Sequence, residues 1–177
     1  MRRRFPTLFA PTVWIDTLEV QFDLCGEPPE DARIANVNVV PYIGTQWVVV
    51  QTEHYPEMPG GTREPDEPYT ETMHRELLEE AGARLLTYQP LGAWYCVSRA
   101  AQPYRPHTPH PAFYRYVVLG EVEIVTAPSS PPGGETILSV DVVSLAEAVQ
   151  RFISAGRSDI AELYQLAAFV RRNSSSH

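Results

Sequence analysis

Three glutamates behind a glycine turn constrain this chain more than any other feature. Residues 61–83 read GTREPDEPYTETMHRELLEEAGA, and within them Glu76, Glu79 and Glu80 stand at positions i, i+3 and i+4. On a helix these offsets bring three carboxylates onto one face, with Cβ atoms about 5–6 Å apart. Their mutual repulsion destabilises a bare helix and raises the proton affinity of each carboxylate. A hard divalent cation bound there removes that penalty.

The flanking residues predict where this helix begins and ends. Pro68 suits a first helical position, and Gly82 follows the last turn as a C-terminal stop. The helix is therefore expected over about residues 68–81, with the glutamates largely on a different side from its apolar stripe. That stripe consists of Met73, Leu77 and Ala81.

Strands and loops are expected through most of the remaining chain. Residues 13–24 alternate apolar and polar side chains, as in one half-buried strand. Two β-branched runs within residues 34–53 predict a hairpin whose second arm, residues 47–50, is buried on both faces, whereas Pro41 predicts a bulge or an edge in the first arm. The later segments are strands at 84–100, 112–125 and 137–143, loops at 101–111 and 126–136, a helix capped by Ser144 and ended by Gly156, a last helix from about 158, and a frayed tail.

Composition excludes several classes of function. The 177 residues suit one domain, and a net charge of -8 disfavours binding to a nucleic-acid polymer. All 14 basic residues are arginines, so a Schiff-base lysine and a P-loop lysine are both excluded. No run approaches the ~20 apolar residues of a membrane span, which predicts no membrane partner.

Cysteine usage and the N-terminal residues predict a cytoplasmic protein. Cys25 and Cys96 suit two reduced thiols rather than a disulfide framework, with a single bridge as the alternative. Pro6, Pro11 and Asp16 interrupt the N-terminal apolar run before it reaches the length of a signal peptide.

The spacing of fixed residues across 61–83 resembles the box that defines the Nudix hydrolases. Every fixed position of that box is matched: Gly61, Glu67, Arg75, Glu76, Leu77, Glu79, Glu80, Gly82 and Ala83. The resemblance continues in the order of elements over about residues 34–170. It implies an α/β fold, an α/β/α sandwich with a mixed β-sheet, a catalytic loop-helix-loop and two C-terminal helices. The corresponding division is an N-terminal strand and loop extension (1–33), a Nudix hydrolase domain (34–172) and a disordered tail (173–177).

The resemblance also implies a reaction and a set of site residues. Family members use Mg2+, or Mn2+ in its place, to hydrolyse a nucleoside diphosphate linked to another moiety. Carried over by position, the metal ligands are Glu76, Glu79, Glu80 and the backbone carbonyl of Gly61. Glu67 and Arg75 correspond to the pair that orients the metal carboxylates, and the expected catalytic residues are Glu79, Glu80, Arg75 and Glu135.

The substrate and the general base are left open by the sequence. The extra N-terminal strand resembles that of the ADP-ribose pyrophosphatase branch, which favours ADP-ribose or a nucleotide sugar, and its apolar face would suit a homodimer. Other nucleotides and non-nucleotide diphosphates are the alternatives, as is a catalytically idle module that binds nucleotide or a protein partner. The base comes from the box or from Glu135, with Glu121 and Glu123 as alternatives. Candidate substrate-binding residues are Arg99, Arg105, His107, His110 and Arg115, and candidate stacking residues are Tyr95, Tyr104 and Phe113.

Two departures from the usual family pattern concern the packing of the box rather than its ligands. Asp66 stands where the family usually has glycine. Thr72 and Met73 replace small residues on the inner face of the helix.

Overall fold

The apolar and β-branched runs of the sequence form one mixed β-sheet with helices on both faces. The computed structural model describes residues 1–15, 17–103, 105–129 and 136–174. The strands are β1 (Thr12–Trp14), β2 (Leu18–Leu24), β3 (Ile34–Ile43), β4 (Gln46–Thr52), β5 (Pro56–Glu57), β6 (Gly60–Thr62), β7 (Ala83–Ser98), β8 (Ala112–Ile124) and β9 (Ile137–Val143). The helices are α1 (Tyr69–Ala81), α2 (Leu145–Ser154) and α3 (Ser158–Ser174).

The sheet is mixed because one central pair of strands is parallel. Along the sheet the order is β1-β2-β7-β8-β3-β4-β5, with β6 added to β3 and β9 added to β4. Strands β3 and β8 run parallel, whereas the other pairs are antiparallel. The predicted mixed sheet is therefore confirmed.

Alternate residues of the central strands pack against different helices. Trp47 and Val49 belong to the cluster that includes α2 and α3, whereas Val48 and Val50 belong to the cluster that includes α1. Successive side chains of a strand point to opposite faces, so α1 lies on one face and the other two helices on the other. This arrangement confirms the α/β/α sandwich and the burial of residues 47–50 on both faces. Burial of each large apolar side chain contributes about 1.5–3 kcal/mol.

The N-terminal segment forms two strands, so the prediction of one strand over residues 13–24 is wrong. Ile15 has a φ of 45°, and the N–H of Thr17 donates to the carbonyl of Ile15 at 2.7 Å. The chain therefore folds back, and β1 pairs antiparallel with β2. Asp16 lies outside the described residues.

Residues before β1 pack onto the same core as α3. Phe5, Leu8 and Phe9 are buried in the cluster that holds the apolar face of that helix. The N–H of Leu8 donates to the Glu162 carboxylate at 2.8 Å, which fixes the segment against α3. The N-terminal extension therefore contributes both sheet and core.

Contrary to the prediction, Pro41 lies neither at a β-bulge nor on an edge strand among the described residues. Strand β3 lies inside the sheet, and its register with β8 shifts between Ile34 and Asn36 instead. Pairing of β3 with β6 ends at Asn38, and pairing with β4 begins at Tyr42. A residue without an N–H therefore falls where the strand changes partners on that side, and this position explains why the proline is tolerated.

The helix of the glutamate pattern begins one residue later than predicted. Pro68 is its N-cap, and the Pro68 carbonyl accepts from the N–H groups of Glu71 and Thr72 at 3.0 and 3.1 Å. Gly82 ends the helix at a φ of 58°, in the left-handed region that favours glycine. The predicted apolar stripe is confirmed, because its members are completely buried: Met73, Leu77 and Ala81.

The later elements follow the predicted order. Ser144 caps α2, and its hydroxyl accepts from the N–H of Glu147 at 3.2 Å. Cys25 and Cys96 are both free thiols, as the sequence predicted. No helix within the described ranges is both long and apolar enough to cross a membrane.

Candidate active site

The glycine turn and α1 are joined through strand β6, which pairs with the middle of β3. Gly61 lies opposite Val37, and the loop of residues 63–68 then leads into α1. A Cβ atom at Gly61 would lie 2.1 Å from Oε1 of Glu76. The carboxylate of Glu76 thus sits directly against β6, and only glycine leaves room for it.

Arg75 is the centre of the polar contacts on α1. Its Nη1 lies 2.7 Å from Oε1 of Glu76 and 3.3 Å from Oε2 of Glu79. Its Nη2 donates to the carbonyl of Thr62 at 3.3 Å, which ties the helix to β6. Hydrogen bonds to Glu67 raise the pKa of Arg75 above its ordinary value, so the guanidinium stays charged. One cation therefore contacts two of the predicted metal carboxylates and the strand beside them.

Glu67 holds Arg75 from the loop that precedes the helix. Its two carboxylate oxygens accept from Nε and Nη2 of Arg75 at 2.8 and 3.0 Å. The N–H of Glu64 and the hydroxyl of Thr72 donate to the same carboxylate, each at 2.9 Å. These hydrogen bonds, that of Arg75 first, lower the pKa of Glu67 to about 2. Thr72 therefore acts as a donor to Glu67, a role that its unusual identity in the pattern did not suggest.

The three predicted carboxylate ligands differ in their surroundings. Glu76 is only 8% exposed, and this burial raises its pKa, whereas Arg75 opposes the change. One oxygen of Glu80 accepts from the N–H of Gly60 at 2.9 Å, so this glutamate also faces β6. Within the described ranges, no group of three or more His, Cys, Asp or Glu side chains has the geometry of a ready-made metal site. Glu76 and Glu79 instead both face Arg75.

The loop before α1 is organised by a second arginine that sequence reasoning missed. The Nε of Arg63 donates to the carbonyl of Glu67 at 2.7 Å, and Nη1 donates to the carbonyl of Ile34 at 3.1 Å. Nη2 of Arg63 pairs with the carboxylate of Asp31 at 3.0 Å. Arg63 falls on a position that the box does not specify, so no signal in a single sequence separates it from a surface arginine.

The predicted bases lie in different parts of the molecule. Glu135 lies outside the described residues. Ser129, six residues before it in the sequence, contacts the C-terminal end of α1, where its N–H donates to the carbonyl of Glu79 at 2.8 Å. Glu121 pairs with Tyr42, five residues beyond the β3 residue that faces Gly61, or about 16 Å along the strand. Glu123 pairs with Arg84 on the exposed surface of the sheet.

A cavity of about 560 Å3 adjoins β6 on the side of the N-terminal turn. Its walls come from the turn after β1, the first residue of β2, the part of β3 beside β6, β6 itself, the ends of β7 and β8, and the loop that follows β7. Of the predicted substrate-binding residues, His110 and Arg115 line this cavity, together with the predicted stacking residue Phe113.

The remaining candidates lie elsewhere. Arg99 pairs with Glu19 on the exposed surface. Arg105 lies 3.5 Å from Glu64, and His107 contacts the carbonyl of Arg63 at 2.8 Å, so both attach the long loop to the loop before α1. Tyr95 stacks with Tyr114 and Arg33. Tyr104 lies outside the described residues.

Comparison with known families identifies the protein family that contains this loop-helix-loop. A profile of the NUDIX domain matches residues 32–166, most of the chain. The chain belongs to the Nudix family. The order of elements and the layers described above are those of a Nudix fold, and membership supports a hydrolase that acts on phosphoric anhydride bonds.

Solved Nudix structures share this fold at low sequence identity. A Bacillus subtilis pyrophosphohydrolase, BsRppH, is 19% identical and superposes with a TM-score of 0.53 over 71% of each chain. A Nudix hydrolase from Nitrosomonas europaea is 18% identical, with a TM-score of 0.53 over 76% of this chain and 87% of its own. No curated protein sequence is significantly similar to the chain.

Within the Nudix box, Asp66 shows how this chain departs from the family pattern without losing the loop. Its φ is 61°, a left-handed conformation that glycine adopts freely. Aspartate is among the few other residues that adopt it at modest cost. The backbone conformation that glycine usually supplies is therefore kept here.

Proposed function

We propose that this Nudix protein is a Mg2+-dependent pyrophosphohydrolase, with Mn2+ as a substitute, that cleaves the diphosphate bond of a nucleoside diphosphate linked to another moiety. The observation that carries the proposal is the seat of Glu76 against Gly61, beside Glu79 and Glu80, in a loop-helix-loop held by Arg75 and Glu67. The carboxylate of Glu76 is buried, and a Cβ atom at Gly61 would displace it. Such a close fit supports a preformed site rather than a solvated helix face.

The donor set fits a magnesium ion. In the proposed assignment Glu76, Glu79, Glu80 and the carbonyl of Gly61 supply only oxygen atoms, which hard cations prefer. When bound there, Mg2+ would neutralise charge on the diphosphate and lower the pKa of a water molecule. A nearby cation would also offset the burial that disfavours the charged form of Glu76.

The protein's own residues then have distinct tasks. Arg75 orients Glu76 and Glu79, and Glu67 keeps Arg75 in place. The 560 Å3 cavity beside Thr62 has a volume typical of sites for small molecules, which supports a small nucleotide substrate. ADP-ribose or a nucleotide sugar is the first class to test. We propose Glu135 as the base, because Ser129, six residues before it in the sequence, donates its N–H to the carbonyl of Glu79 near the end of α1.

The test is a panel of nucleotide diphosphates incubated with Mg2+ or Mn2+ and read by the identity of the products. We expect one class to be cleaved at its anhydride, and we expect Glu79→Gln and Glu80→Gln to abolish cleavage while thermal melting stays cooperative. Glu71→Gln is the matched control, because Glu71 is an exposed glutamate on the same helix with no contact to Arg75 among the described residues. Full activity in both glutamate variants would rule the proposal out.

A second candidate function is a catalytically idle module that binds nucleotide. One observation favours it: Glu76 and Glu79 both contact Arg75, and the described residues contain no ready-made metal cluster. Tight binding of one nucleotide without any product, in the presence of either metal, would select this candidate.

Two further proposals concern assembly and location. Strand β1 is the last strand on its side of the sheet, and Val13 on it is exposed, which supports a homodimer through this edge. Light scattering on the purified chain tests it, and a monomer at all concentrations would exclude it.

The two free thiols support a cytoplasmic location.

A further inference from the structure

Arg63 uses its whole guanidinium to hold the main chain around the loop before α1. Its side chain is only 14% exposed, and all three guanidinium nitrogens donate hydrogen bonds. The acceptors are the main-chain carbonyls of Asp31, Ile34 and Glu67 and the carboxylate of Asp31. A planar guanidinium with five N–H groups holds several acceptors in one fixed geometry, which a lysine cannot do. Arg63 therefore fixes three points of the main chain relative to one another.

Glu67 is held at both ends by arginines. Nε of Arg63 donates to the main-chain carbonyl of Glu67 at 2.7 Å, and Nη2 donates to the same oxygen. The side-chain carboxylate of Glu67 accepts two hydrogen bonds from Arg75. Because paired hydrogen bonds tolerate little change in distance or angle, a shift of the Glu67 main chain must move Arg75 or weaken the pair. Arg63 therefore contributes, through Glu67, to the position of Arg75.

Arg63 is itself anchored to the sheet, to the long loop and to the start of α1. Its N–H donates to the carbonyl of Ala35 on β3 at 3.1 Å. Its carbonyl lies 2.8 Å from Nε2 of His107 in the loop of residues 101–111. The Asp31 carboxylate pairs with Arg63 through one oxygen at 3.0 Å and accepts from the N–H of Tyr69, the first residue of α1, through the other at 3.2 Å. Three separate parts of the fold therefore meet at one side chain.

The contacts continue from Glu67 to two of the proposed metal ligands. Nη1 of Arg75 lies 2.7 Å from Oε1 of Glu76 and 3.3 Å from Oε2 of Glu79. A misplacement of about 1 Å in a catalytic arrangement can reduce the rate on the order of 100-fold. A small displacement that begins at Arg63 can therefore have a large effect on turnover.

We infer that Arg63 is a positioning residue of the hydrolysis, which fixes the main chain of Glu67 and thereby orients Arg75 and the carboxylates of Glu76 and Glu79. Its role depends on the fork geometry of the guanidinium rather than on its charge. The inference rests on the proposed function for the reaction that these carboxylates serve.

The first experiment compares Arg63→Gln and Arg63→Lys with the wild type by steady-state kinetics, on the substrate that the nucleotide panel identifies. We expect kcat to fall about tenfold or more in Arg63→Gln while KM changes little, since the carboxylates are displaced but the substrate cavity is kept. Arg63→Lys retains the charge and loses the fork, so its kcat should fall as far.

Arg151→Gln is the matched control. Arg151 is also largely shielded from solvent and also holds two segments together, because it pairs with Asp141 on β9 and with Glu147 on α2. Its replacement should lower the melting temperature and leave kcat unchanged. The comparison therefore separates a loss of stability from a loss of positioning.

A double-mutant cycle with Glu67→Gln tests whether Arg63 acts through Glu67. In the Glu67→Gln background, Arg63→Gln should lower kcat by no more than about twofold, because the two changes disturb the same contact to Arg75. The carbonyl that accepts from Arg63 is present in both backgrounds, so a role in stability alone would give the same fold loss in each. Equal losses in the two backgrounds, wild-type kcat in Arg63→Gln, or full kcat in Arg63→Lys would overturn the inference.

Asp31→Asn is the milder variant and keeps the test decisive if Arg63→Gln fails to fold. It removes the charge that pairs with Arg63 and alters the side chain little in volume. We expect kcat to fall several-fold in the Glu67 background and to change little in the Glu67→Gln background. Wild-type kcat in Asp31→Asn, with Arg63→Gln unfolded, would count against the inference and overturn it.

A measurement without metal or substrate separates this inference from the proposed function. The Nε–H of Arg75 donates to Glu67 at 2.8 Å, so its exchange with solvent reports how firmly the pair is held. Heteronuclear NMR of the metal-free chain measures this exchange, and the signal is assigned by its absence in Arg75→Lys. Arg63→Gln should accelerate the exchange several-fold, whereas Arg151→Gln should not.

The outcomes of the two tests are distinct. Faster exchange in a chain that hydrolyses nothing supports the link from Arg63 to Arg75 and overturns the hydrolase alone. An active hydrolase in which Arg63→Gln changes neither the exchange nor kcat overturns the positioning role alone.

Discussion

The guanidinium of Arg75 grips the carboxylate of Glu67 through two parallel hydrogen bonds, one at 2.8 Å and the other at 3.0 Å. A bidentate pair of this kind fixes the plane of the guanidinium as well as its position. The remaining nitrogen, Nη1, then faces Glu76 and Glu79. Glu67 therefore determines, through Arg75, where two of the proposed metal ligands lie.

Glu67→Gln should impair both folding and the proposed activity. The neutral amide of the glutamine cannot accept both hydrogen bonds from the guanidinium as the carboxylate does. Arg75 is therefore left with fewer fixed contacts. We expect a loss of about 1–3 kcal/mol in the free energy of unfolding, from the weakened charge-assisted bonds. Metal-dependent activity should fall about 10–100-fold, as is typical when a partner of metal ligands is removed. Denaturant unfolding and steady-state kinetics measure the two effects, with Glu71→Gln as the control. Unchanged kinetics would contradict the orienting role of Glu67.

The same pair predicts how stability depends on pH. The folded-state pKa of Glu67 is about 2, below the ordinary value of 4.5 that applies in the unfolded chain. A lowered carboxylate pKa stabilises the fold fully above about pH 4.5, and this contribution is lost as the pH falls towards 2. The stability difference between wild type and Glu67→Gln should therefore shrink over this window. Unfolding free energies at pH 6, 4.5 and 3 test this, and a constant difference would show that the pair does not set the pKa.

Gly61→Ala should displace Glu76. The added Cβ would lie 2.1 Å from Oε1 of Glu76, so the carboxylate must move away from β6. We expect a destabilisation of about 1–3 kcal/mol from the overpacked contact and a severe loss of metal-dependent turnover. Gly26→Ala is the matched control, because nothing lies within 4 Å of a Cβ at Gly26. If Gly61→Ala retained wild-type activity, the seat of Glu76 against β6 would have no part in catalysis.

Local patterns predicted the elements of this fold better than their junctions. Periodicity located α1, the hairpin and the strand before Ser144, because each depends on side chains close together in sequence. The break in the first strand at Ile15 depends on a left-handed residue, which alternation alone does not reveal. Partner exchange around Pro41 depends on strands that are distant in sequence.

The candidate site follows the same division. The spacing from Gly61 to Glu80 identified the box, since those residues share one loop and one helix. The cavity at Arg115 required the packing of three remote segments, the N-terminal turn, the long loop and β8. The sequence suggested both Arg115 and Arg99 as substrate-binding residues but did not distinguish between them. The two arginines differ in burial and in their partners, which depend on the tertiary structure.

Asp66 offers a test of how the box tolerates a residue other than glycine. Asp66 has a φ of 61°. This conformation costs little energy for glycine and more for any residue with a side chain, although the cost for aspartate is lower than for most residues. Asp66→Gly should therefore leave the free energy of unfolding unchanged or raise it by up to about 1 kcal/mol, because relief of strain offsets the greater freedom of the unfolded chain. Asp66→Ala should lower the free energy of unfolding, since alanine has neither the freedom of glycine nor the tolerance of aspartate for a left-handed φ. Glu27→Gly, at an exposed position outside the left-handed region, is the control and should lose about 0.4–1 kcal/mol. Denaturant unfolding of the three variants decides the matter: if Asp66→Gly lost as much stability as Glu27→Gly, the left-handed conformation would not explain the glycine that the family usually has at this position.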